Sequence, residues 1–126
     1  MEKGIPSNMY KEYILELYKS PRNLGILKNP THEHTEYNSL CGDEMTIQMI
    51  VKNGKVQDAK FSGSGCVISI VSSSLLTDKI RGMPVSEIKK LNEKEISKLL
   101  KLKINPARIK CSLLCLEAVK KALKNA

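Results

Sequence analysis

Met45-Thr46-Ile47-Gln48-Met49-Ile50-Val51-Lys52-Asn53-Gly54-Lys55-Val56-Gln57-Asp58-Ala59-Lys60-Phe61 is the stretch that decides the fold. Met45, Ile47, Met49 and Val51 alternate with Thr46, Gln48, Ile50 and Lys52, the period-two pattern of a strand with one buried face. Asn53-Gly54 comes next. Both residues tolerate the positive φ of a type I′ turn, so the chain is expected to reverse there. Residues 55–61 then pair back as the second strand, with Val56 and Phe61 facing inward. A third strand is expected around 33–38, completing a small antiparallel meander.

The open ends of that hairpin carry the chemistry. Cys41-Gly42-Asp43 precedes the first strand, and Gly63-Ser64-Gly65-Cys66 follows the second. An antiparallel hairpin brings its open ends together. Cys41 lies about 12 residues before the centre of the turn and Cys66 about 12 after it, so the two are expected to be neighbours in space.

Further out the pattern turns helical. Ser7 is a candidate N-cap for a first helix whose stripe is Tyr10, Tyr13, Ile14, Leu17 and Tyr18, ended by Ser20-Pro21. Packing against the body of the domain is one use of that aromatic face, and a partner interface is another. Residues 67–81 predict a helix dense in small and aliphatic side chains. Its serines allow close approach to the sheet, Cys66 stands at its N-terminus, and Gly82 serves as its left-handed cap. Unpaired N–H groups and the positive helix end favour a thiolate at Cys66. Residues 84–103 suit two short surface helices.

Asn105-Pro106 starts a last helix, with Ile109, Leu113, Leu116, Val119 and Leu123 as its apolar face. Cys111 lies about 160° from Ile109 on the wheel, off that stripe, with Arg108 and Lys110 as cations able to stabilise a thiolate. Cys115, one turn on, reads as a small buried filler, with a spare thiol as the alternative. His32 and His34 share a strand face. They could reach one ion, or face solvent in a polar stretch.

Composition narrows the class. The chain has 126 residues, 41% hydrophobic but only 4% aromatic, enough for one domain over 1–126 with an aliphatic core. No run approaches a membrane span, and Met1-Glu2-Lys3-Gly4 has no apolar signal core, so a reducing cytoplasm is expected. There four cysteines read as metal or redox chemistry, not a disulfide frame. The net charge of +8 suits a solvated surface or an acidic protein partner. A nucleic-acid module with a structural zinc is the weakest reading, because aromatic base-stacking platforms are not interleaved with the lysines.

Cys41, Cys66 and Cys111 with Asp43 thus make three thiols and one carboxylate. Such donors select zinc, copper(I) or iron–sulfur iron. Short paired-cysteine zinc knuckles are missing. Asp43 is a harder ligand than the four thiolates of a permanent cluster, which suits a carrier that releases its cargo. The alternative is that Asp43 only caps a turn after Gly42.

With these residues assembled, the chain resembles the iron–sulfur cluster scaffold family of IscU, the N-terminal domain of NifU, and SufU. The resemblance is carried by Tyr18-Lys19-Ser20-Pro21-Arg22-Asn23-Leu24-Gly25, Cys41-Gly42-Asp43, Phe61-Ser62-Gly63-Ser64-Gly65-Cys66-Val67-Ile68-Ser69, Ser72-Ser73-Ser74 and Arg108-Ile109-Lys110-Cys111-Ser112-Leu113-Leu114. It implies an α+β fold, a three-stranded antiparallel sheet packed against several helices with the metal site at one end of the sheet. It also implies that Cys41, Asp43, Cys66 and Cys111 hold a transient 2Fe-2S cluster built with sulfur from a cysteine desulfurase and passed to apo-proteins, with zinc as an alternative occupant. Neither nucleic acid nor membrane is an expected partner, and a homo-oligomer is left open.

Two departures separate the branches. Lys110 stands where the scaffold branch commonly has His, as in SufU-like chains, yet Cys66 and Cys111 are only 45 positions apart, without the SufU-like insertion. Asn105-Pro106-Ala107-Arg108-Ile109 also replaces the Leu-Pro-Pro-Val-Lys segment read by a dedicated chaperone. The alternative function is therefore a zinc-dependent sulfur acceptor, with Cys111 as the candidate persulfide carrier.

Overall fold

A computed structural model describes residues 7–39, 42–101 and 106–124, with the backbone alone for 7–11 and 107. Cys41 and the Asn105 helix start lie outside the described residues. The order is α1 (Ser7–Lys19), β1 (His32–Asn38), β2 (Asp43–Lys52), β3 (Lys55–Ser64), α2 (Val67–Ile80), α3 (Val85–Ile88), α4 (Glu93–Leu100), a 3₁₀ turn (Pro106–Arg108) and α5 (Ile109–Lys124). The three strands form one antiparallel sheet in the order β1-β2-β3. The α+β class and the meander are as expected.

The hairpin reverses at Asn53 and Gly54, both at positive φ, with Lys52 opposite Lys55. Met45, Ile47 and Met49 are fully buried, and so are Val56, Ala59 and Phe61 on β3. Val56 and Phe61 are an odd number of residues apart, so strict alternation would put them on opposite faces. A β-bulge resolves the conflict. Val51 pairs with Val56 but Ile50 pairs with Asp58, leaving Gln57 as the extra residue.

Helices cover the inner face. α5 packs on β1 and β2, α2 packs on β3 and α5, and α1 and α4 pack on α2. On α1 the buried residues are Ile14 and Leu17, whereas Tyr13 and Tyr18 are exposed. The packed stripe is thus narrower than the periodicity suggests. Ile88, Ile96 and Leu100 are buried, so α3 and α4, the two short helices expected on the surface, are part of the core's cover. Asn92 and Glu95 form a capping box at the start of α4.

Two expectations change. Gly82 is not a helix cap. α2 ends at Ile80, Arg81 is extended at φ −62° and ψ 126°, Gly82 has φ 82°, and the Met83 amide donates to the Ile80 carbonyl at 3.0 Å. This is a type II turn, which needs glycine at its third position. The α5 wheel is also rotated. Ile109 and Leu113 are only half-buried, while Cys111, Ser112, Leu114, Cys115, Ala118 and Ala122 are buried beside Leu116, Val119 and Leu123. Because α5 lies between the sheet and α2, its buried arc is wide, and its small residues let both neighbours approach.

The segment 20–31 is more than a connector. The Gly25 amide donates to the Phe61 carbonyl and the Phe61 amide to the Asn23 carbonyl, each at 2.9 Å, covering part of the β3 edge. The Asn23 amide group donates to Thr77 Oγ1 at 3.0 Å and Asp78 Oδ1 at 2.8 Å, and Arg22 pairs with Asp78 at 2.9 Å. These bonds fix the segment on the C-terminal half of α2.

Candidate metal centre

The backbone brings the site together from three elements. Asp43 is the first residue of β2, placed by a turn in which the Gly42 amide donates to the Asn38 carbonyl at 2.8 Å. Cys66 is the residue before α2, in extended conformation, two residues beyond the end of β3. Cys111 lies in the first turn of α5. One ligand atom from each of Asp43, Cys66 and Cys111 lies within 4.8 Å of the others. Tetrahedral thiolate zinc, with metal–sulfur bonds of about 2.3 Å, separates its ligand atoms by about 3.8 Å, so small side-chain adjustments would let the three share an ion.

The close approach needs Gly65. A Cβ there would stand 2.9 Å from Ser69 Cβ and 3.3 Å from Asp43 Cγ. Any larger residue would push Asp43 or α2 away from the other.

Asp43 is 5% exposed, and its Oδ2 accepts from the Ser69 hydroxyl at 2.5 Å and from the Cys66 amide at 3.4 Å. The Ser69 hydroxyl also lies 3.2 Å from the Cys111 carbonyl and 3.6 Å from Cys66 Sγ. Burial pushes the Cys66 thiol up, but the Ser69 amide and hydroxyl and the Cys111 thiol pull it down by more, against a smaller upward push from Asp43. The net effect is a thiol below the ordinary cysteine range, as expected for the N-terminus of α2. The Arg108 guanidinium is exposed on the 3₁₀ turn, and the nearby sulfurs of Cys66 and Cys111 raise its own pKa.

Three of the four expected ligands are therefore together, while the fourth, Cys41, lies outside the described residues. Cys111 differs from its expected setting. It is off the apolar cluster but only 2% exposed, not turned outward. Cys115 is in that cluster, 1% exposed, and burial pushes its thiol up to about 12 against a weaker pull from Ser73. It is the filler expected and lies outside the site.

The histidines are elsewhere. His32 and His34 stand opposite Met49 and Ile47, on the helix-covered face. His34 Nε2 lies 2.9 Å from Glu36, which accepts from Lys121 of α5 at 2.8 Å, and His32 Nδ1 lies 2.7 Å from Thr31. Burial would raise the Glu36 carboxyl, but Lys121 and His34 outweigh it and hold it below the usual range. Among the described residues, Asp43, Cys66 and Cys111 are the one group of three such side chains placed to hold an ion. The residue that sequence reasoning missed is Ser69, grouped there with the packing serines. Its place three residues after Cys66, on the same helix face, was the available signal.

Comparison with known proteins gives a consistent result. The family described as NifU-like N terminal domain matches residues 9–125. The iron-sulfur cluster assembly enzyme IscU of Drosophila melanogaster is 38% identical over 127 residues, covering 96% of this chain and 80% of that protein. The iron-sulfur cluster assembly scaffold protein IscU of Thermotoga maritima is 38% identical over 132 residues, covering 92% and 93%. A crystal structure of a SUF-system iron-sulfur cluster assembly scaffold protein from Fervidobacterium islandicum superimposes with a TM-score of 0.78 at 27% identity, covering 94% of this chain and 99% of that one.

Proposed function

Because the chain belongs to the NifU-like N-terminal-domain family, we propose that it is an iron–sulfur cluster assembly scaffold, a carrier with no turnover of its own. The cargo is a transient 2Fe-2S cluster, held by Cys41, Asp43, Cys66 and Cys111. Its sulfur comes from a cysteine desulfurase and its destination is apo iron–sulfur proteins. The observation that carries this reading is the convergence of two thiols and a buried carboxylate within 4.8 Å at one end of the sheet.

The donor set fits such a cargo. Thiolates suit iron–sulfur iron, and the lowered Cys66 thiol supplies one readily. Arg108 offsets the negative charge that gathers as thiolates and sulfide meet. Asp43 is the weak point of the set, a hard oxygen among soft sulfurs, and gives the cluster a bond that an acceptor thiolate can replace. No helix among the described residues is long and apolar enough to cross a membrane. The reading places the chain in a reducing cytoplasm, where free thiols persist.

A second reading is favoured by Arg108 beside Cys66 and Cys111, because a cation next to a thiolate also suits a persulfide acceptor with zinc holding the site. Anaerobic reconstitution with iron, cysteine and a desulfurase separates the two. The scaffold forms a visible iron–sulfur chromophore with stoichiometric sulfide. Zinc binding alone, with faster desulfurase turnover, establishes the sulfur acceptor.

A further inference from the structure

We infer that Ser69 is a positioning residue of the metal centre, its hydroxyl orienting the Asp43 carboxylate. The inference rests on the proposal that Asp43 is a ligand. Five hydroxyl residues of α2 are buried: Ser69, Ser72, Ser73, Ser74 and Thr77. Four of them turn back on their own helix, donating to the carbonyls of Ile68, Ser69, Ile70 and Ser73 at 2.7–3.1 Å. That is the ordinary way to bury a hydroxyl in a helix. Ser69 alone of the five donates to another element, with Asp43 Oδ2 at 2.5 Å on β2 and the Cys111 carbonyl at 3.2 Å on α5, whereas Thr77 only accepts from Asn23.

One hydroxyl has one proton, and the shorter contact assigns it to Asp43. The carboxylate is then held on Oδ2 by two donors from the start of α2, the Ser69 hydroxyl and the Cys66 amide. This fixes the rotation of the carboxylate before any ion arrives. At 1% exposure, Ser69 stands where water cannot easily replace its bond. Groups that orient a metal ligand in this way contribute about 10–100-fold to metal affinity. Ser69→Ala keeps the packing of a small residue and raises helix propensity, so the helix itself is not put at risk.

The test is Zn²⁺ affinity by chelator competition, with Co²⁺ absorption as a second readout, on S69A, S73A, D43A and D43A/S69A. S69A is expected to weaken Zn²⁺ by about 10–100-fold and to shift the Co²⁺ bands, a change in ligand geometry that a loss of stability alone would not produce. S73A, whose hydroxyl closes on its own helix, should match the parent. In the D43A background S69A should cost nothing more, because its effect runs through the carboxylate. Parent-like affinity in S69A, an equal loss in S73A, or a full further loss in D43A/S69A overturns the inference. A parent that binds no Zn²⁺ removes the metal centre and the inference together, whereas failure to build a cluster bears on the scaffold reading alone.

Discussion

Cys111 and Cys115 are one helical turn apart on α5, and both are at least 98% buried. Their surroundings nevertheless differ. Cys111 faces Asp43, Cys66 and the Arg108 guanidinium, at the end of the sheet where three elements meet. Cys115 faces the apolar cluster, where a thiolate has no compensating charge, and its thiol is pushed up to about 12. Burial therefore does not separate a ligand from a filler. What the sulfur faces does.

The largest difference should appear in reactivity. At neutral pH, three units between an ordinary thiol and one near 12 leave Cys115 with about 1,000-fold less thiolate, before any effect of access. Alkylation of the metal-free native protein followed by peptide mapping should label Cys66 first and Cys115 only on unfolding. Equal labelling of the two would erase the contrast.

Truncation should come next. Cys111→Ala is expected to lower Zn²⁺ affinity by more than the roughly 100-fold that an outer-shell change costs. Cys115→Ala should bind as the parent does, at a modest loss of stability from the small cavity. A loss of metal binding in both variants would place Cys115 in the site.

A smaller effect sits in the alkaline limb. The folded Cys115 thiol, near 12, lies above the ordinary value of 9.0, so above pH 9 the native state holds a proton that the unfolded chain has released. The stability contributed by the buried thiol is whole below pH 9 and lost as pH rises toward 12, at about 1.4 kcal/mol per unit at most. Cys115→Ala should flatten that slope in denaturant melts between pH 9 and 11. An unchanged slope would mean that other groups cause it.

The same pair of residues marks how far the sequence can be read. The alternation over Met45–Val51 and the Asn53-Gly54 turn were enough for the sheet, because a strand pattern and a turn are local properties. They also brought Asp43 and Cys66 to one end of the sheet. The face of α5 was not legible in the same way. A helical wheel ranks positions by their own hydropathy, whereas α5 is covered on two sides and buries Cys111, Ser112, Ala118 and Ala122 along with its leucines. Ser69 was hidden for a related reason. Its hydroxyl differs from those of Ser72, Ser73 and Ser74 only in the partner it finds, and that partner comes from another strand. The bulge at Gln57 left a trace in the odd spacing of Val56 and Phe61, legible once both were required to face inward.

The proposed function stands or falls on whether this end of the sheet holds an iron–sulfur cargo. The most direct measurement is the iron, zinc and acid-labile sulfide content of protein purified without oxygen, alongside its Cys111→Ala variant. Iron and sulfide are expected in equal amounts in the parent, with visible thiolate-to-iron absorption, and neither in the variant. Zinc without sulfide in the parent, or iron and sulfide that survive the loss of Cys111, would contradict the proposed function.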